Sequence, residues 1–278
     1  MKRNAQFKNF WAHFEKDELE RRRANLLAHY RNTKNKLKCN ISVLNSLGAL
    51  AMKDGHEEDA LAYWDLVFQI EKSNSMTNQS YLISPESRDP RTSGARLLEI
   101  ANSGTLDASD LDFNPKNLKA SLRWAEFYNL CQNPSTPLEI LNAIAEIDDQ
   151  CSSLGENIGC TSELLWKSAT NGGDFEALNN PAVPIDLIEE VFISSHNFWE
   201  HKAIARNLAT PTDDYFLVYA GLKSSEKATG IKFDTGYKIQ MELIENPVLP
   251  PIVISALSKS TNSRLLKKIE TWKLINQG

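Results

Sequence analysis

The side chains best able to do chemistry in this 278-residue chain are few and poorly spaced for it. Glu189, Glu190, His196, Glu200 and His201 form the densest titratable group, the raw material for a metal site or an acid–base pair. A helix aims two ligands at one metal only when they stand three or four residues apart. None of the five histidines, His13, His29, His56, His196 and His201, has another at that spacing. The group therefore reads as surface Glu and His around a helix turn. Cys39, Cys131, Cys151 and Cys160 contain no C-x-x-C pair, which suits isolated buried thiols better than a metal cage. No nucleophile elbow, P-loop or dinucleotide fingerprint occurs, and 12 Gly leave little material for phosphate-cradling loops. The chain reads as non-enzymatic, with no catalytic residue, no metal and no cofactor expected.

A hydrophobic fraction of 41% and a charged fraction of 24% are those of a folding globular chain. No apolar run is long enough to span a bilayer, and residues 1–8 are too charged for a secretory signal, so a cytoplasmic protein without membrane contact is expected. Charge is uneven: residues 1–40 hold 11 Lys+Arg against 4 Asp+Glu, residues 41–112 hold 5 against 12, and residues 113–278 hold 15 against 20. The basic end alone has a nucleic-acid flavour, and the acidic remainder repels the same polyanion, so nucleic acid is a disfavoured partner.

Phe7, Phe10, Trp11 and Phe14 recur at helical spacing, and Leu19, Leu26, Leu27 and Tyr30 extend the stripe through a segment free of Gly and Pro before residue 48. One long helix, or two in succession, is expected. Asp17 stands four residues before Arg21 and Glu18 four before Arg22, so part of the basic run Arg21, Arg22 and Arg23 is helix support. The same run is the candidate contact for an acidic partner surface. From Ile41 to Asn74 the sequence places Leu44, Leu47 and Gly48 on one helix, Gly55 in a turn, and Ala60, Trp64 and Val67 on a second. A Gly where two helices cross lets their backbones approach, and a large aromatic fills the gap beside it. The segment resembles a tetratricopeptide repeat, present here as one copy. That resemblance implies that Asn45, Ala49 and Met52 face a groove for a partner. Residues 75–112 read as a polar linker, with a short helix near Arg96 to Ala101.

The second half repeats a phrase: QNPSTPLEILNAI from Gln132, NNPAVPIDLIEEV from Asn179, RNLATPTDDYFLV from Arg206 and ENPVLPPIVISAL from Glu245. Each puts an Asn four residues before a Pro: Asn133 and Pro137, Asn180 and Pro184, Asn207 and Pro211, Asn246 and Pro250. The Pro suits the first turn of a helix, where its missing N–H costs nothing. Thr136 with Glu139, and Thr210 with Asp213, have the spacing of capping boxes. The Asn can end the preceding helix in a left-handed conformation or fold its side chain onto the loop backbone. Nine residues earlier stands an aromatic in three copies, Trp124, Phe198 and Tyr237. Apolar stripes follow the Pro: Ile140, Leu141 and Ile144; Leu187, Ile188 and Val191; Val253, Ile254 and Leu257.

The phrase resembles the variant leucine-rich repeat, a bacterial relative in style of HEAT-like solenoids, over roughly residues 114–278, with a degenerate copy at Asn114 and Pro115. The Asn positions stand 47, 27 and 39 apart, against about two dozen in that family, so insertions are expected around 151–173 and 221–236. The fold class is therefore all-α: a right-handed α-solenoid of stacked helix pairs over 113–278, a linker over 75–112, and a basic helix with a tetratricopeptide-like hairpin over 1–74. Such a stack works by presenting a surface, so a non-catalytic scaffold or adaptor for a protein partner is expected. The partner-facing candidates are Arg21, Arg22, Arg23, Asn45, Met52, Trp199 and Arg206. A HEAT-like fold that excises alkylated bases also shares the helix-pair style, and makes a nucleic-acid-binding or base-repair protein the alternative. It works through a basic concave groove, which this acidic half does not supply.

Overall fold

The computed structural model describes residues 7, 11, 14–74, 85–103, 126–147, 154–171, 176–194, 198–211 and 235–276. All secondary structure among them is helical, with no strand. By contacts the chain falls into two compact units: residues 1–10 with 44–182, and residues 11–43 with 183–278.

The first unit begins with the hairpin of α2 (Ile41–Lys53) and α3 (Glu57–Asn74), most of α2 lying in it. Gly55 between them has a φ of 85°, a left-handed turn that glycine adopts without a Cβ penalty. Trp64 is buried over Gly48, where an added Cβ would lie 2.7 Å from the Trp64 Cε2 atom, and Phe7 stacks on the indole at 5.7 Å. The helix crossing thus works as its residues suggest. The stretch read as a linker carries α4 (Pro85–Arg88) and α5 (Gly94–Ser103), tied to α3 by Arg88 to Glu71 and Arg91 to Asp65.

A helix over residues 126–132, called α6, then α7 (Leu138–Ile147), α8 (Ser162–Asn171) and the short α9 (Glu176–Asn179) complete this unit. One turn recurs along them, built each time on a buried Asn. Asn133, Asn157 and Asn180 each accept, at the side-chain oxygen, the amide two residues on: Ser135, Gly159 and Ala182, at 2.8 to 2.9 Å. Each also donates its side-chain amide to two backbone carbonyls of the preceding turn. Asn133 reaches Ser87 and Asp89 (both 2.9 Å), Asn157 reaches Cys131 and Asn133 (2.7 and 2.9 Å), and Asn180 reaches Gly155 and Asn157 (both 2.8 Å). The result is a ladder of rungs in which each Asn satisfies three buried backbone groups. Its first rung is Asp89, which accepts from the Arg91 amide at 2.8 Å. Only an acceptor is used there, so a carboxylate serves.

Asn157 opens a further copy inside the region expected to be an insertion. Asn133, Asn157 and Asn180 stand 24 and 23 residues apart. This copy has Ile158 and Thr161 where its neighbours have prolines, which hid it from the N-P-x-x-P pattern. The candidate at Asn114 and Pro115 lies outside the described residues, and Asn133 bonds directly to the Asp89 turn.

Threonine plays a different part from the cap its spacing suggested. The Thr136 hydroxyl donates 2.7 Å back to the Leu130 carbonyl, six residues earlier, and Thr92 does the same to Glu86 at 2.7 Å. Cys160 fills the position through its thiol, 3.2 Å from the Leu154 carbonyl. The hydroxyl so closes the end of one helix rather than the start of the next. Gly155 passes so near α9 that a Cβ would sit 2.6 Å from the Ala177 nitrogen.

The second unit holds α1 (Lys16–Asn32), a 3₁₀ turn (Lys36–Lys38), α10 (Ile185–Ser194), α11 (Phe198–Arg206), α12 (Thr235–Leu243), α13 (Pro251–Leu257) and α14 (Ser263–Asn276). Asn207 and Asn246 repeat the turn, accepting from the Ala209 and Val248 amides at 2.7 and 2.9 Å. Asn246 donates to the Asn207 carbonyl (3.2 Å), and Thr210 to the Ile204 carbonyl (2.6 Å). The Asn246 carbonyl receives the Trp272 indole N–H at 2.8 Å, so α14 caps this row.

The expected stripes are buried: Leu187 and Ile188 on α10, and Val253, Ile254 and Leu257 on α13, with Val191 half-buried; Ile140, Leu141 and Ile144 on α7 do the same in the first unit. Among the described residues no Asn has positive φ, so the Asn acts through its side chain. Trp124, Asp213 and the stripe of the third copy lie outside the described residues, as do the side chains of Phe198 and Tyr237.

The N-terminal aromatics do not form one helical stripe. Trp11 has a φ of 53°, a left-handed conformation that ends any helix there, and is buried edge-on against Phe14, 5.8 Å away. The helix starts at Lys16 and stops at Asn32, where the Thr33 amide and hydroxyl both return to the His29 carbonyl.

Candidate functional site

Among the described residues, no three His, Cys, Asp or Glu side chains gather as a metal cage. Glu189 and Glu190 are exposed on α10, the His201 ring rests 5.7 Å from Phe192, and His196 lies outside the described residues. Cys39, Cys131 and Cys160 are buried, and burial pushes the Cys39 thiol up from its ordinary value.

Arg22 is the largest departure from the sequence reading. It is 0% exposed, stacked 4.2 Å over Phe14, and its guanidinium holds Glu18 (2.7 Å), the Leu208 carbonyl and the Thr210 carbonyl (3.0 Å). The side chain therefore anchors α1 to the Asn207 turn and presents nothing to a partner. Its buried charge is neutralised by Glu18 and satisfied by two carbonyls, the condition for placing an arginine inside. Arg21 is bound to the same Glu18 at 2.6 Å, one residue closer than the expected Asp17 pairing. The Glu18 carboxyl, despite burial that raises it, is held below its ordinary value by hydrogen bonds from Arg21 and Arg22. Arg23 is half-buried. Met52 is completely buried and Ala49 with it, so neither lines a groove; Asn45 is half-buried.

Trp199 and Arg206 remain on the surface. Trp199 is 52% exposed on α11, and Ile193, near the end of α10, is 79% exposed. Lys202 lies 5.2 Å over the Trp199 ring, one turn along the same helix face, and Arg206 follows one turn later. Glu242 on α12 binds both cations at 3.3 Å, which holds this face of α11 in one arrangement. An exposed indole flanked by fixed cations can pack against an apolar side chain or accept an acidic one. Sequence spacing offered Trp199 and Arg206 separately; Lys202 and Glu242, which join them, carried no motif.

No family model matches the chain, and no curated protein or solved structure is found similar to it.

Proposed function

We propose that the chain is a non-catalytic repeat scaffold that docks a protein partner through the α10–α11 face of its second unit. The observation that carries this reading is Trp199, a large apolar side chain left in water with Lys202 over its ring and Arg206 held to the same Glu242; Ile193, near the end of α10, is exposed as well. Tryptophan and arginine are the residue types that dominate binding energy at protein interfaces, and an exposed indole beside ordered cations fits such a contact. The recurring Asn turn supports the wider reading of a right-handed α-solenoid in the manner of variant leucine-rich or HEAT-like repeats. Within each unit the carbonyls of one turn are taken up by the Asn of the next, so helices accumulate there by stacking.

The test is a partner recovered in fixed stoichiometry by cross-linking in cells, followed by titration of purified components. Trp199→Ala with Ile193→Ser should leave thermal unfolding within about 2 °C of wild type, since both are exposed, and weaken binding at least roughly tenfold. Undiminished binding by the pair would remove the face from the account.

A further inference from the structure

The structure brings together two basic segments that are far apart in sequence. α1 and α14 pack along each other, and the Asn32 side-chain amide donates to the Ile275 carbonyl at 2.5 Å, so both helices end side by side. Residues 16–38 hold 8 Lys+Arg against 3 Asp+Glu, and residues 263–276 hold 4 against 1. These 37 residues carry +8, which leaves −13 on the remaining 241 of a chain whose net charge is −5. Charge is therefore segregated by the fold rather than merely by the sequence.

Part of the positive charge is spent internally, on Glu18 by Arg21 and Arg22 and on Glu245 by Lys268. Arg31, Lys34, Lys38 and Lys273 are exposed with no ion-pair partner among the described residues, and all lie at or just past the two helix ends. Two leucines stand in water among them: Leu37, 43% exposed, and Leu274, 80% exposed. Helix-end electrostatics accounts for Arg31 and Lys273. It does not account for Lys34, Lys38 or the leucines.

We propose that this end of the α1–α14 pair is a peripheral docking surface for an anionic lipid bilayer. Lysines and arginines meet the acidic headgroups, and Leu37 and Leu274 enter the headgroup–acyl boundary. Among the described residues no helix is long and apolar enough to cross a membrane. A peripheral contact needs none. Exposed leucines set the bilayer apart from a nucleic-acid backbone, which offers phosphates but no apolar layer at this depth.

The test is co-sedimentation of the full chain with vesicles of phosphatidylcholine alone and with about 30% phosphatidylserine, at roughly 0.1 M and 0.5 M salt. Binding should require phosphatidylserine and weaken at the higher salt. Lys34→Glu with Lys38→Glu and Lys273→Glu should weaken it more than about 100-fold, from roughly fivefold per lost cation. Leu37→Ser with Leu274→Ser should weaken it roughly tenfold while circular dichroism stays unchanged. Failure of the wild-type chain to bind the anionic vesicles overturns the proposal. Binding that the leucine pair leaves unchanged also overturns it, and tight binding of a single-stranded oligonucleotide by that variant would then assign the cations to phosphates of a nucleic acid.

Discussion

Asn157→Asp changes one atom's chemistry and almost no volume, which makes it the cleanest probe of the ladder. The retained oxygen can still accept from the Gly159 amide at 2.8 Å. The replaced group faced the Cys131 and Asn133 carbonyls at 2.7 and 2.9 Å, and a carboxylate oxygen there meets two acceptors with no proton to share. The Asn133 carbonyl keeps the Thr136 amide at 3.0 Å, so the Cys131 carbonyl is the one buried acceptor left unsatisfied, a loss of about 1–3 kcal/mol at neutral pH. That is a large share of the roughly 5–15 kcal/mol that holds a domain together. Below the ordinary carboxyl value the new side chain is protonated and can donate to one of the two carbonyls. Burial beside carbonyls raises its folded value above the unfolded one, so the deficit is smallest in acid and grows as pH rises past about 4. Urea unfolding of both proteins at about pH 4 and pH 7 measures the difference. Asn142→Asp, on the exposed side of α7, is the control and should change stability by no more than about 0.5 kcal/mol. A deficit below about 1 kcal/mol at neutral pH, or one that does not shrink in acid, would refute the assignment of Asn157 as a rung.

Three further outcomes follow from the same geometry. Gly155→Ala should destabilise by about 1–3 kcal/mol, because its Cβ meets the Ala177 backbone; Ala177→Gly should not restore it, whereas Gly48→Ala, which meets the Trp64 side chain, should be eased by a smaller residue at 64. Cys160→Thr should be neutral or stabilise by up to about 1 kcal/mol, since a hydroxyl makes the bond to the Leu154 carbonyl that the thiol makes at 3.2 Å, and thermal unfolding reports it. Acid should weaken the second unit in two stages. Burial, with Lys36 nearby, holds His29 below its ordinary value of 6.5, so its contribution is full above that pH and falls as pH drops through it. The depressed Glu18 keeps its contribution down to lower pH and loses it as pH falls through its folded value. Denaturant titrations across pH should show His29→Gln removing the first stage and Glu18→Gln the second.

The helical class and the Asn-Pro phrase were legible because they rest on local chemistry: proline in a first turn, apolar stripes at helical period, glycine under Trp64. Asn157 was not, because the signal sought was the prolines, which merely favour the turn. The amide side chain that builds it persists without them. Thr136 and Thr210 had the spacing of helix caps, and spacing cannot say whether a hydroxyl turns forward or back. Arg22 read like its neighbours Arg21 and Arg23, since only the fold brings the Leu208 and Thr210 carbonyls to it. Met52 followed from a family in which that face opens onto further copies; here it is core. The basic α1 was visible as a run of charge, but its pairing with α14 joins residues some 240 apart and has no local signature.

If each turn is closed by its own Asn side chain, amide hydrogen exchange reports it. Ser135, Gly159, Ala182, Ala209 and Val248 lie outside the helices, and each donates its N–H to an Asn oxygen two residues back. Exchange at these five amides should be as slow as in the helix interiors, at least roughly 1,000-fold slower than in an open loop. Exchange at open-loop rates would show that the rungs do not form in solution.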